Sequence, residues 1–203
     1  MTEIDDTYLS IRAASEGYFK DKGSKFLSFA YPVKDESDIK EKLEKLRKGH
    51  YNANHHVYAY MLGADKSISR ANDDGEPAHS SGDPVLGQIR SFDLTNVLVV
   101  VVRYFGGTKL GIPGLINAYK SAAFEALNNA DIIKSVCRQY MRIQFDYAVM
   151  DKINKLVHEL NLEVSEREFT TDCKMLIGVR EQLADNLTAR LRQSPDVKII
   201  EVL

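Results

Sequence analysis

From Asn96 to Tyr119 the chain reads NVLVVVVRYFGGTKLGIPGLINAY. Successive side chains of a strand point to opposite faces, so the unbroken apolar run Val97 to Val102 predicts a strand buried on both sides, with a layer packed on each. The run ends in Arg103, Tyr104 and Phe105 and then enters Gly106, Gly107, Thr108, Lys109, Leu110 and Gly111. Pro113 and Gly114 follow, ahead of a helical pattern from Leu115 to Asn128. Strand, glycine loop and helix start together form a backbone that a ligand can approach closely. The same glycines also suit a simple tight turn.

The rest of the chain must supply those covering layers, and its composition allows it. It has 203 residues, 44% of them hydrophobic and 28% charged, as in an ordinary globular protein. No segment is long and apolar enough to cross a bilayer, and the acidic MTEIDDTYLSI start lacks the blocks of a signal peptide. Cys137 and Cys173 show neither metal-ligand spacing nor a CxxC motif, which points to reduced thiols in a cytoplasmic protein. Residues 1–135 carry 17 Lys plus Arg against 18 Asp plus Glu, and the remainder 10 against 11. Neither half is a basic nucleic-acid module by gross charge, which leaves open a local basic face.

The periodicity divides the chain into an N-terminal domain, 1–135, and a C-terminal domain, 136–203, in an α+β fold. In the first, Tyr8 to Ala13, Glu16 to Lys20, Lys25 to Val33, His56 to Leu62 and Ser67 to Ala71 read as strands. Asp35 to Lys48 reads as a helix with Ile39, Leu43 and Leu46 inward, and Pro84 to Ser91 as a short helix. In the second, strands over Gln139 to Tyr147, Leu162 to Phe169, Lys174 to Val179 and Val197 to Val202 alternate with helices over Val149 to Leu160 and Glu181 to Arg192. That order is βαββαβ, the ferredoxin-like arrangement, with a hairpin turn near Thr170, Thr171 and Asp172.

Chemistry concentrates in two places. Arg70, Asp73, Asp74 and Glu76 fall within seven positions, followed by Pro77, His79, Ser80 and Ser81. Three acids on one turn suit either a hard cation such as magnesium or a plain polar turn. His55 joins His79 as a candidate, whereas adjacent His55 and His56 point to opposite faces of a strand and cannot chelate one metal together. Ser80 or Ser81 beside His79 could form a nucleophile and base, although no GxSxG elbow is present. The glycine loop matches neither the P-loop nor GxGxxG, yet Gly106, Gly107 and Gly111 with Arg103 and Lys109 favour an anion such as phosphate. No resident metal set and no cofactor motif emerges.

The Asp73 to Pro77 turn, DDGEP, and the Val99 to Gly111 run, VVVVRYFGGTKLG, resemble the Impact family, with Gly82, Pro84, Gly114, Leu115, Ala118 and Tyr119 in step. The match covers most of the first domain, and the βαββαβ tail resembles the smaller C-terminal domain of bacterial two-domain members. Ala78 to Ser81, Ile112 and Pro113 depart from the family pattern. The resemblance implies a first domain like the second domain of ribosomal small-subunit protein five and a second like the last domain of elongation factor G. It implies a non-enzymatic regulatory role in translation. RNA, the ribosome or a protein would be the partner, and no membrane is involved. Arg70, Asp73, Asp74, Glu76, His79, Arg103, Tyr104, Gly106, Gly107, Lys109 and Gly111 are the expected ligand-binding residues. The alternative is a metal-assisted enzyme acting on a small phosphorylated or acyl substrate. Oligomeric state is not legible in the sequence.

Overall fold

The computed structural model describes residues 6–169 and 172–203. They divide into two compact units, Tyr8–Ser135 and Val136–Leu203, the latter joined by the described part of Met1–Thr7. No described helix is long and apolar enough to cross a membrane.

The larger unit is built on strands β1 (Thr7–Ile11), β2 (Ser15–Asp21), β3 (Ser24–Pro32), β4 (His55–Leu62), β5 (Ile68–Asn72), β6 (Val97–Tyr104) and β7 (Ile132–Val136). Helices α1 (Glu36–Gly49), α2 (Gly82–Ser91) and α3 (Gly111–Asn128) interleave with them. β1 and β7 form a two-stranded ribbon, while the main sheet runs β2-β3-β6-β4-β5 with every neighbouring pair antiparallel. β6 is therefore central, and the alternation expected of its apolar run is resolved side by side. Val97, Val99 and Val101 pack in the core shared with α2 and α3, and Leu98, Val100 and Val102 in the core shared with α1.

Local chemistry explains the boundaries. The β2–β3 hairpin turns on Lys22 and Gly23, both at positive φ (43° and 82°), as a right-twisted two-residue hairpin requires. α1 starts at the side chain of Asp35, which accepts from the Asp38 amide at 2.9 Å, and it buries Ile39, Leu43 and Leu46. α3 begins at Gly111, four residues before the apolar pattern suggests, because proline is tolerated in a first helical turn, whose N–H groups need no intrahelical partner. α2 likewise starts at Gly82 and not at Pro84.

The smaller unit contains β8 (Arg138–Phe145), α4 (Met150–Glu159), β9 (Glu163–Phe169), β10 (Cys173–Arg180), α5 (Ala184–Arg192) and β11 (Val197–Val202). Its antiparallel sheet runs β11-β8-β10-β9. Met141, Ile143 and Phe145 form one core with Ile153 of α4 and with Leu187 and Leu191 of α5. Tyr140 takes the other face, across from Gly178, where an added Cβ would come within 2.7 Å of the tyrosine ring. The expected turn at Thr170 and Thr171 lies outside the described residues. Asp6 ties into this unit through two bonds from Arg180, at 2.6 and 3.1 Å.

Candidate functional site

Register places the first elements of the site. Arg103, near the end of β6, sits directly opposite His55 of β4 on one side and Phe26 of β3 on the other. Directly opposed residues share a face. That face is the one holding Val57, Val99 and Val101, beneath α2 and α3. Glu76 reaches it from the turn after β5. Its Oε1 accepts from Arg103 Nη1 at 2.5 Å and from the Tyr119 hydroxyl of α3 at 2.7 Å. The Arg103 and Glu76 side chains are only 7% and 5% exposed.

The surroundings fix protonation as well as position. The Arg103 guanidinium lies 5.5 Å from the Phe26 ring centroid and 5.6 Å from that of Phe105, within cation–π range. Burial, reinforced by the neighbouring Glu76 carboxylate, pushes the Tyr119 phenol far above its ordinary pKa, so it remains a donor at any physiological pH. His55 Nδ1 lies 2.8 Å from the carbonyl oxygen of Asp74. A carbonyl only accepts, so Nδ1 carries a proton, and Nε2 stands 3.8 Å from Glu76 Oε1. Protonation of Nε2 would add a second cation beside Glu76.

The acids of the turn diverge. Asp73 Oδ1 accepts from the Ser81 amide (3.0 Å), the Ser81 hydroxyl (2.6 Å) and the Gly82 amide (2.8 Å), and Oδ2 accepts from the His79 amide (2.9 Å). It thus caps α2, whose own N-cap residue, Ser81, makes no side-chain bond to a helix amide, and this explains the early start of that helix. Burial raises the Asp73 pKa, but the Ser81 hydroxyl and the three amides outweigh it, holding the carboxyl below its usual range. Asp74, at φ 44°, turns its carboxylate toward the His56 amide (2.6 Å) and Arg47 (3.5 Å). The three carboxylates of one short turn therefore serve three separate sets of partners, and among the described residues no group of acids, histidines and cysteines is arranged to hold a metal. Ser80 Oγ donates to the Pro77 carbonyl, and the exposed His79 pairs with Asp83 at 2.6 Å, so neither serine is set up as a nucleophile against His79.

The glycine loop is anchored from below. An added Cβ on Gly106 would meet the backbone of Gly23 at 1.9 Å, so the loop lies directly on the β2–β3 turn. Gly107 and Gly111 have positive φ (89° and 72°), and Gly107 faces open space. Lys109 is exposed in the same loop, just ahead of α3.

Of the expected site residues, Asp73, Asp74, Glu76 and Arg103 are linked by this turn and its bonds. Gly106, Gly107, Lys109 and Gly111 lie in the loop that continues from β6. Tyr104 and Arg70 are not part of the same constellation. Tyr104 points to the α1 face, where its hydroxyl meets His50 Nδ1 at 2.8 Å. Arg70 is opposite Tyr60, also on the α1 face, and Tyr60 is opposite Leu98, six residues along β6 from Tyr104. At about 3.3 Å per residue that separates the two by roughly 20 Å. Arg103 and Tyr104, both among the expected ligand-binding residues, thus take opposite faces, because adjacent strand residues alternate. Tyr119 and Phe26 are the site residues that chemistry-based reading passed over. Tyr119 falls at core spacing on α3, and Phe26 carries no signal beyond apolarity.

Comparison with known proteins places this geometry among relatives. The family model described as the Impact N-terminal domain matches residues 22–127, a span that includes the acidic turn, β6, the glycine loop and most of α3. The Bacillus subtilis protein described as IMPACT family member YvyE is 32% identical over 87% of this chain and 81% of its own length. IMPACT family member YigZ of Escherichia coli is 29% identical over 84% of each chain. A crystal structure described as that of a hypothetical protein is 25% identical, covers 98% of this chain and 99% of its own, and superposes with a TM-score of 0.74.

Proposed function

The chain belongs to the Impact family, and from that premise we propose that it is a cytosolic regulatory protein of translation that acts by binding and not by chemistry. The translational part is supported by membership of the family, whose resemblance implies a regulatory role in translation. The binding part rests on one observation. The carboxylates that a catalytic reading needs are already engaged: Asp73 caps α2, Asp74 holds the His56 amide, and Glu76 is shared by Arg103 and Tyr119. Polar groups that hold one another in place fix a conformation. Here they lock the turn after β5 to the strand that carries the glycine loop, so that the exposed rim, Phe105 to Lys109, is presented in one shape. The partner on this reading is the ribosome or its RNA.

The test is sedimentation of the purified protein through a sucrose cushion with ribosomes, alongside its effect on a cell-free translation reaction. Cosedimentation and altered output are expected. Free protein remaining above the cushion, with unchanged translation, removes the proposal.

One observation favours a second reading. His55 holds Nε2 toward a buried carboxylate with its tautomer fixed by a backbone carbonyl, an arrangement that suits proton transfer. If that histidine is a general base on a small phosphorylated or acyl substrate, turnover of such esters should vanish in His55→Gln. Absence of turnover by the unsubstituted protein rules the reading out.

A further inference from the structure

The α1 face of the main sheet is only partly covered. The core beneath α1 draws on β3, β4 and β6 and takes no residue from β2. The β2 residues on that side, Glu16, Tyr18 and Lys20, are exposed, and Tyr18 shows 51% of its surface. Across the end of this uncovered strip, Lys20 is directly opposite Lys25, and Lys25 directly opposite Tyr104. With strands about 4.8 Å apart, the three side chains occupy one row of roughly 10 Å. Lys22, in the hairpin turn, adds a third cation at the same end.

Like charges directly opposed on a sheet repel, so a Lys–Lys pair is an unfavourable choice for the fold by itself. Among the described residues, Lys20, Lys22 and Lys25 form no ion pair within 4.0 Å. Asp21 belongs to the other face, paired with Ser24, and Glu16 lies beyond Tyr18 at the far end of the strip. The cations are thus left for an external anion, and aromatic rings stand among them. The Tyr18 ring is half exposed, and Tyr104 is held by His50, which itself packs 5.4 Å from the Phe29 ring. Lysines that meet phosphates, interleaved with rings on which bases stack, are how single-stranded nucleic acids are bound without sequence preference.

We propose that the strip formed by Tyr18, Lys20, Lys22, Lys25 and Tyr104 is a binding surface for single-stranded RNA. This rests on the translational reading for the choice of RNA and adds to it a surface distinct from the Glu76–Arg103 cluster, which lies on the opposite face of the sheet. An acidic peptide would satisfy the lysines but not use the rings.

The experiment is fluorescence anisotropy of a labelled twelve-nucleotide oligouridylate with the full chain across a salt series, with oligodeoxythymidylate and polyglutamate as competitors. Binding is expected, with polyglutamate failing to compete. Lys20→Ala with Lys25→Ala should flatten the slope of log affinity against log salt by about 1.4, roughly 0.7 for each phosphate no longer neutralised. Tyr18→Ala should weaken binding by roughly tenfold without changing the slope. The double lysine variant removes a repulsion, so its thermal unfolding should not fall, and lower affinity would not report misfolding. No RNA binding, an unchanged slope in the double variant, or equal competition by polyglutamate overturns the proposal. If ribosome cosedimentation persists in any of these cases, the translational reading stands and only this surface is wrong.

Discussion

Arg103 and Glu76, 27 residues apart in the chain, meet in a buried ion pair that the Tyr119 hydroxyl completes. The pair joins the end of the central strand to the turn that leads into α2, and Tyr119 joins both to α3. Removing one partner of such a pair strands the other charge in a low dielectric, at a cost of about 3–5 kcal/mol. Glu76→Ala should therefore lower the stability of the N-terminal unit by that amount in urea unfolding. Tyr119→Phe, which leaves the ion pair intact and removes one bond to a charged group, should cost less, about 1.5–3 kcal/mol. If Glu76→Ala is as stable as the parent, the cluster is not what holds the turn in place.

The acidic turn carries a second, separable role. Asp73→Ala removes four bonds at the start of α2 and should cost about 0.5–2 kcal/mol, the usual range for a lost helix cap. The pH dependence follows from the lowered folded-state pKa. As pH falls, the unfolded chain takes up this proton first, so the contribution is complete above the unfolded value, about 3.9, and is lost as pH falls through the lower folded value. Stability measured from pH 6 down to pH 2 should fall less steeply at the acid end in Asp73→Asn than in the parent. Parallel acid limbs would contradict the assignment.

How far the sequence spoke for itself depends on the range of the interaction. Val97 to Val102 announced a doubly covered strand, and Ile39, Leu43 and Leu46 the inner face of α1, because both patterns are local and periodic. The βαββαβ order of the C-terminal unit was legible for the same reason. The start of α2 was not, since its cap comes from Asp73, nine residues before Gly82, across a turn. Arg103 and Tyr104 take opposite faces because nearness in sequence does not settle which sheet face a side chain takes, and Arg70, on the face of Tyr104, lies far along the sheet from it. The pairing of Glu76 with Arg103 depends on cross-strand register, which no single-chain pattern encodes.

His79 offers a titration that reports local geometry without affecting the core. It sits at φ 63°, is exposed, and pairs with Asp83, and the bond to that carboxylate, followed by its charge, raises the imidazole pKa. A raised folded pKa means that the stabilisation is present in full below the unfolded value, about 6.5, and is lost as pH rises through the folded one. Proton NMR of the imidazole should show a midpoint above the ordinary histidine value, returning toward it in Asp83→Asn. An unshifted midpoint in the parent would mean the pair does not form in solution.

Two adjacent glycines separate packing from backbone conformation. Gly107 has φ 89° and faces open space, so Gly107→Ala meets only the left-handed backbone penalty of about 1–2 kcal/mol. Gly106 has no such φ, yet its added Cβ would overlap Gly23 backbone at 1.9 Å, and neither chain segment is a flexible side-chain end that can swing aside. Gly106→Ala must lift the loop off the β2–β3 turn and stretch the bond from its amide to Ser24 Oγ, now 3.2 Å. The cost should reach or exceed the roughly 1–3 kcal/mol of an overpacked core. Amide exchange should show the difference in kind: faster exchange at residues 22–25 in Gly106→Ala, and near-parent exchange there in Gly107→Ala. Equal effects of the two substitutions on the hairpin would mean that the loop does not rest on it.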